Sequence, residues 1–399
     1  MQSFTYTIDL ETYNREQIKS KTVNLPDGRK YTILNYIFGE TIDDDSGKYR
    51  SVVLNESDKI VCFAPPKSMP LDTFQNNYSI QDSSIIVNEV IEGTMINLFF
   101  DKQQNRWEIT TKASIGGNSW YFRNQYIVSE KTMSKSELTF RQMFLNGLGM
   151  SESDDLQNSS ILETFDRNYC YSLIIQHPMN HIVHNIIAPT IYLVAVYGIN
   201  ENNIIVIHPN EYESWSHITN SPIRFPRRYN ESTYGDIYSQ RCSVDSTYDI
   251  PGVMFYNTVT GERACMENES YKKVRELRGN QPNLQYQWLI LRSEGKLSEF
   301  LLYFNQYTEL FDLFNKYYEY FVKNVHDGYV TYYVKKSGIK ISKQYFPIIY
   351  RIHHEVFLPS KTMDSMLIIK KEVVAEFLTK LDPKMMIYYL NWNEKQNIL

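Results

Sequence analysis

Between residue 30 and about residue 130 the chain is a series of short β-branched and aromatic runs separated by turn signals, and nothing else in it constrains the fold as much. The runs are "KYTILNYIFG", "YRSVVLN", "KIVCFAPP", "SSIIVNEVI", "TMINLFFD" and "RWEITTKASI". Residues of this kind fit a pleated, half-buried surface, so each run predicts a strand. The polar stretches "DDDSGK" and "DKQQNR" are expected to fold neighbouring strands back as antiparallel hairpins. A helical interval follows, "KSELTFRQMFLNGLGM", with Leu138, Phe140, Met143 and Phe144 along one apolar face. Strands resume with "YCYSLIIQ", "IAPTIYLVAVYGI" and "IPGVMFYN". The expected fold class is therefore α+β, built on an antiparallel sheet.

After residue 268 the periodicity changes. "ESYKKVRELRGN" opens a helix, and "KLSEFLLYFNQYTELFDLFNKYYEYFVKNV" spaces its apolar residues by three and four, as an amphipathic helix does. "YFPIIYRIHHEVFL" and "KKEVVAEFLTKLDPKMMIYYLNW" extend the pattern. A boundary near 268–290 divides the chain into domains 1–275 and 276–399, the second all-helical. A chain of 399 residues is long enough for two such cores.

Charge and cysteine usage narrow the function classes. The net charge of -5 argues against a wholly basic nucleic-acid coat, yet leaves room for a local basic groove, because phosphate attraction is screened within roughly 10 Å. Cys62, Cys170, Cys242 and Cys265 form no CxxC pair, so neither a zinc ribbon nor a disulfide framework is expected, and the thiols read as reduced. No run reaches the roughly 20 apolar residues of a membrane span, and no secretory signal region opens the chain. The expectation is a soluble cytoplasmic protein without a membrane partner. Thirty-two Tyr, with abundant Asn, Ile and Lys, point to an AT-rich genome.

Four segments taken in order carry a resemblance. "YTILNY" with "KYRSVVLNESDKIVCFAPPKSMPLDTF" is followed by "EVIEGTMINLFFDKQQNRWEITTKASIGG", then "SLIIQHPMNHIV", then "IPGVMFYNTVTGERACMENESYKKV". Together they resemble the bacteriophage tRNA-repair type of RNA ligase, a branch of the covalent nucleotidyltransferases, and most closely a degenerate member such as the ligase-like proteins of large DNA viruses. The resemblance spans roughly residues 30–280 and implies an ATP-grasp-like nucleotidyltransferase domain ahead of the helical one. Chemistry in that family starts with a lysine amine attacking the α-phosphate of ATP while a divalent metal neutralises the triphosphate.

Carried onto this sequence, the nucleophile position is Val90, which has no amine. The resemblance keeps Glu92 and Gly93, and it implies nucleotide contacts for these two and for Arg50 and Lys112. The adenine-stacking aromatic falls on Leu173 and the following carboxylate on Ile174, with Pro178 and Asn180 holding the register. The metal-holding Glu falls on Pro251. Of the phosphate-binding lysines only a basic Arg263 remains nearby. Nucleophile, metal carboxylates and phosphate lysines contribute separately to a transition state, so restoring one does not restore the rate.

Other candidates each have a plain alternative. Lys67, in "FAPPKSMP", is a relocated catalytic nucleophile if its amine pKa is lowered, and otherwise a solvated loop lysine. Lys112 precedes Gly116-Gly117, a phosphate-approaching loop or an ordinary turn. Lys272, Lys273, Arg275 and Arg278 would form an RNA-binding stripe on a helix, or a solvated charged face. His177, His181 and His184 read as satisfied or surface histidines, so no metal site is assigned. The leading expectation is an RNA- or nucleotide-binding protein without lysyl-adenylate catalysis. The alternatives are an active ATP-dependent RNA ligase or nucleotidyltransferase using Lys67, with ATP and Mg as cofactors, and a structural or assembly protein of a viral particle, with viral or host proteins as partners in the host-cell cytoplasm or virion.

Overall fold

The turn after "TMINLFFD" shows how local chemistry sets the architecture. The Asp101 carboxylate accepts the backbone N–H groups of Gln103 and Gln104 at 2.9 and 3.2 Å, and Asn105 takes the left-handed conformation at φ 49° that its short polar side chain tolerates. The strands Thr94–Asp101 and Arg106–Thr110 are thereby closed into an antiparallel hairpin. The computed structural model describes residues 4–37, 43–119, 125–128, 131–134, 138–281, 283–361 and 367–392. Phe38 and Gly39, the end of the first expected strand, lie outside them.

The chain forms two compact units, residues 1–121 with 138–276, and residues 122–137 with 277–399. In the first, a six-stranded antiparallel sheet runs in the order Thr5–Thr7, Asn203–Val206, Thr190–Asn200, Tyr169–Gln176, Thr94–Asp101, Arg106–Thr110. A four-stranded sheet orders Ile18–Asn24, Lys30–Tyr36, Val52–Leu54 and Ile60–Phe63. A three-stranded sheet pairs Gly252–Asn257 with both Arg263–Glu267 and Ile85–Glu89. The class is α+β with antiparallel sheets and a helical C-terminal region, as expected.

The helix Phe140–Gly147 starts at Thr139, whose hydroxyl accepts the Gln142 N–H while the Gln142 side chain returns to the Thr139 N–H, a reciprocal cap. Leu138, Phe140, Met143 and Phe144 are all buried in one core with Ile96, Leu98, Leu173 and Ile175 of the six-stranded sheet. Cys62 and Cys170 lie in a second core, their sulfurs 3.3 Å apart, and all four cysteines are free thiols.

Three expectations change in detail. The "DDDSGK" stretch lies between the antiparallel neighbours Lys30–Tyr36 and Val52–Leu54, as expected, and within it Asp44–Gly47 is a helical turn begun by the Asp43 carboxylate accepting the Ser46 N–H. The strand expected over "RWEITTKASI" ends at Thr110, where the Thr111 N–H bonds back to the Ser114 carbonyl and starts a turn. In the helical region, the long amphipathic stretch breaks at Phe304 (φ -126°, ψ 52°), whose ring packs 4.6 Å from Phe300, before Thr308–Tyr329 runs on.

The second unit buries Trp288, Phe311, Phe314, Tyr318, Phe321, Val325, Ile349 and Leu378 among its helices. The segment "KKEVVAEFLTKLDPKMMIYYLNW" divides into Lys371–Thr379 and Pro383–Leu390, because Asp382 caps the second helix and Pro383 fits its first turn. The unit also holds the hairpin Gln125–Val128 with Lys131–Ser134. Among the described residues, no helix is long and apolar enough to cross a membrane.

Candidate functional site

Strand alternation builds the site. Along Tyr169–Gln176, Leu173 and Ile175 are buried in the core on one face, so Ile174 points to the other and lines a cavity of about 330 Å³. Gly93, Met95, Val194, Ala195, Tyr197 and Val206 continue the wall along the same sheet. Asn88, Glu89, Met254, Tyr256 and Arg263 enter from the three-stranded sheet, while Arg50 and Pro66 come from connections of the four-stranded one. Every lining residue belongs to the first unit.

Gly93 is required by close approach: a Cβ there would lie 2.4 Å from the Ile175 carbonyl oxygen and 2.7 Å from the Ile174 Cγ2. Val90 also lines the cavity, its backbone N–H fixed to the Gly252 carbonyl at 2.9 Å. The position that the family resemblance gives to a lysine thus presents an isopropyl group. No lysine is found among the described residues lining this cavity.

With Arg50 and Arg263 against one carboxylate, Glu89, the charged side chains of the lining are cationic in balance. Burial, and the Arg263 guanidinium beside it, push Arg50 down to about 10. No acid is among the charges acting on Arg50, and the Nε of Arg263 is buried without a hydrogen-bond partner among the described residues. Burial also raises the phenols of Tyr6 and Tyr197, and that of Tyr256 to about 12, so all three remain neutral near pH 7, and the Tyr6 hydroxyl donates to the Gly261 carbonyl at 2.8 Å. Asn88 adds a buried Oδ1 without a donor among the described residues. The cavity therefore combines two guanidiniums, the Glu89 carboxylate, neutral phenols and an apolar wall of Val90, Ile174 and Met254. Such a set suits a ligand with an anionic end and a flat or apolar body.

Of the other expected site residues, Glu92 is buried outside the cavity lining, and its carboxylate is saturated. It accepts the N–H groups of Ile182, Val183 and His184 at 2.7 to 3.2 Å and the Tyr271 hydroxyl at 2.9 Å. It thereby ties the "HPMNHIV" loop to the helix Glu269–Arg278. The Lys112 ammonium lies 4.5 Å over the Tyr36 ring, outside the cavity lining, and is lowered by burial and by Arg50 and Lys19.

Lys67 is exposed and lines a separate space of about 770 Å³ with Lys48, Asp43 and Glu262. That space shares Tyr6, Pro66, Gly261 and Arg263 with the first cavity. Lys272, Lys273 and Arg275 are exposed along Glu269–Arg278, with Lys272 3.6 Å from Glu267. Arg278 leaves the stripe: it is buried, and its guanidinium lies 5.6 Å from the centre of the Tyr307 ring. The basic stripe is thus shorter than the three-residue spacing suggests.

The donor set does not fit a protein-held divalent metal. Glu89 supplies the one carboxylate among the described residues of the cavity lining and already accepts the Arg227 N–H, while Pro251 occupies the metal-holding position of the resemblance. Among the described residues, no group of three or more His, Cys, Asp or Glu is arranged as a metal site. His177, His181 and His184 bond to Asn146, to the Pro178 carbonyl, and to Glu92 and the Tyr248 carbonyl. The cavity tyrosines were not singled out from the sequence, because each alone reads as a strand-core residue.

No family model matches the chain, and no curated protein matches it. Solved structures similar to it include a putative ATP-dependent DNA ligase from Aquifex aeolicus (13% identity, 76% of this chain and 74% of that one, TM-score 0.43). An archaeal ATP-dependent RNA ligase is 12% identical over 75% of this chain and 72% of its own, at a TM-score of 0.40. A Naegleria gruberi RNA ligase variant with ATP and Mn is 11% identical over 69% and 86%, at 0.35.

Proposed function

We propose that the chain is a ligase-like protein whose first unit binds a nucleotide through its phosphates and does not form a lysyl-adenylate. One observation carries this reading: two half-buried arginines, Arg50 and Arg263, line a cavity in which Val90 takes the position that the resemblance gives to the nucleophile, and no lysine is among the described residues of the wall. An unpaired buried cation is expensive to maintain in a folded protein, so a phosphate that completes the pair gains a charge-assisted, bidentate contact. The resemblance to bacteriophage tRNA-repair ligases makes ATP the first ligand to test, and RNA the polymer to test on Lys272, Lys273 and Arg275. In the cavity, Tyr256 would donate to a phosphate or ribose oxygen, and the apolar wall would hold the base.

The test is calorimetric titration of the full chain with ATP, AMP and adenosine. Affinity is expected to fall in that order, because each step removes phosphate charge. Equal binding of adenosine and ATP, or no binding of any of them, would refute the reading. A second reading has its own observation: Lys67 lines the adjoining space and shares Arg263 with the cavity, so a relocated nucleophile would come from there. ATP-dependent labelling that disappears in Lys67→Ala would establish it.

A further inference from the structure

Residues 328–354 contain Lys335, Lys336, Lys340, Lys343 and Arg351, six Tyr or Phe residues, His353 and His354, and no Asp or Glu. In a chain with net charge -5, an acid-free stretch of this length is a local reversal of sign. Lys335, Lys336, Lys340 and Lys343 are exposed, and among the described residues none of them is paired with a carboxylate. Only Arg351 is committed, to Glu355 at 2.7 and 3.0 Å.

The aromatic residues are ordered as platforms beside these charges. The helix Thr308–Tyr329 continues into a π-helical turn, Val330–Val334, and Phe346–Ile352 continues into another, His353–Phe357. Turns of this kind recur at functional sites. The two helices approach closely at Gly328, where a Cβ would lie 2.6 Å from the Ile349 Cδ1. Across that approach Tyr333 stacks on His353 at 3.6 Å and 7°, and on the second helix Tyr350 stacks on His354 at 3.9 Å. Tyr332, edge-on to Phe346, and Tyr350 are 43% and 49% exposed, so ring surface is open to a ligand. The intervening loop is tied down by the Lys335 N–H on the Val330 carbonyl and the Ser337 N–H on the Thr331 carbonyl.

We infer that residues 328–354 form a binding surface for single-stranded nucleic acid, with the lysines following phosphates and Tyr332 and Tyr350 stacking on bases. Unpaired cations interleaved with open rings are the two components of sequence-tolerant single-strand binding. An anionic membrane would also attract the lysines. Here, however, the exposed rings are hydroxylated, and only Val334 and Ile339 offer exposed aliphatic surface. The inference does not depend on nucleotide binding in the first unit.

The experiment is fluorescence anisotropy of the full chain with labelled 20-nucleotide oligo(U) and oligo(dT) across a salt series, alongside flotation with phosphatidylserine vesicles. The combined variant Lys335→Ala, Lys336→Ala, Lys340→Ala is expected to bind the oligonucleotides at least about tenfold more weakly. Its slope of log affinity against log salt should be smaller by about 2, because each lysine that neutralises a phosphate of a single strand contributes about 0.7 to that slope. Tyr332→Ala should lose about tenfold without changing the slope, and Tyr332→Phe should retain affinity. All four positions are at the surface, so thermal unfolding should stay unchanged and report intact folding. Oligonucleotide binding that is absent, or unaffected by these variants, overturns the inference. So does a lysine effect confined to vesicles.

Discussion

Two groups of buried or half-buried arginines in the first unit are built in opposite ways. Arg29 and Arg141 converge on Glu108, each at 2.8 Å, and Arg29 also holds Asp27 at 2.7 Å and donates to the Tyr31 hydroxyl, which in turn reaches Asp101 at 2.6 Å. Arg50 and Arg263 line one cavity, each feeling the other's charge, and the one carboxylate of that lining, Glu89, accepts the Arg227 N–H and is not among the charges acting on Arg50. The first group shows that this fold satisfies buried cations where they serve structure. The second has no such ion pair among the described residues, which is the basis for proposing a phosphate ligand there.

The largest effect should come from breaking the complete group. Glu108→Ala would leave Arg141 without its carboxylate and buried Arg29 with Asp27 alone, and is expected to destabilise the first unit by about 3 kcal/mol, read from urea unfolding. The matching change in the incomplete group should do the reverse. Arg50→Met with Arg263→Met removes cations that have no partner to lose, so stability should hold or rise by about 1 kcal/mol while ATP affinity falls by about a hundredfold or more. If both variants destabilise equally, the contrast between the groups fails.

Proton linkage sharpens the same contrast with a base that stays neutral. Burial lowers His177 to about 4, and it sits between the Asn146 side chain and the Met179 N–H. Its folded value is below the unfolded one near 6.5, so the unfolded chain takes up the proton first as the pH falls. The stabilising contribution is complete above about 6.5 and is lost toward pH 4, by on the order of 1 kcal/mol per pH unit. His177→Gln should flatten that limb in pH-dependent denaturation. The smallest effect expected is none: Val90→Lys should produce no covalent adenylate, since the resemblance also puts Pro251 at the metal-holding position and only Arg263 near the phosphate-binding ones, and intact-protein mass after incubation with ATP and Mg checks it.

Much of this was legible in the residues. The strand runs, the capped helix at Thr139 and the change to helical spacing after 268 are local patterns, and local patterns survive into the fold. What was not legible is what depends on distant chain segments meeting. Tyr6, Tyr197 and Tyr256 come from three strands in two sheets, and only pairing brings them to one cavity. Glu92 has the residue type of a ligand contact, yet three backbone N–H groups from residues 182–184 and the Tyr271 hydroxyl saturate it. Arg278 has the spacing of a surface stripe, and its burial follows from packing beside Tyr307 that no periodicity encodes. The short strand Arg263–Glu267 is hidden in the sequence because "RACME" lacks alternation, although it positions the arginine on which the site depends.

Mass spectrometry of the full chain with ATP, first under native and then under denaturing conditions, is the most direct test. A phosphate-binding cavity without a nucleophile predicts a bound-ATP adduct on the native protein that vanishes completely on denaturation. An adenylyl group that survives denaturation, or a native protein that carries no ATP at all, would contradict the account.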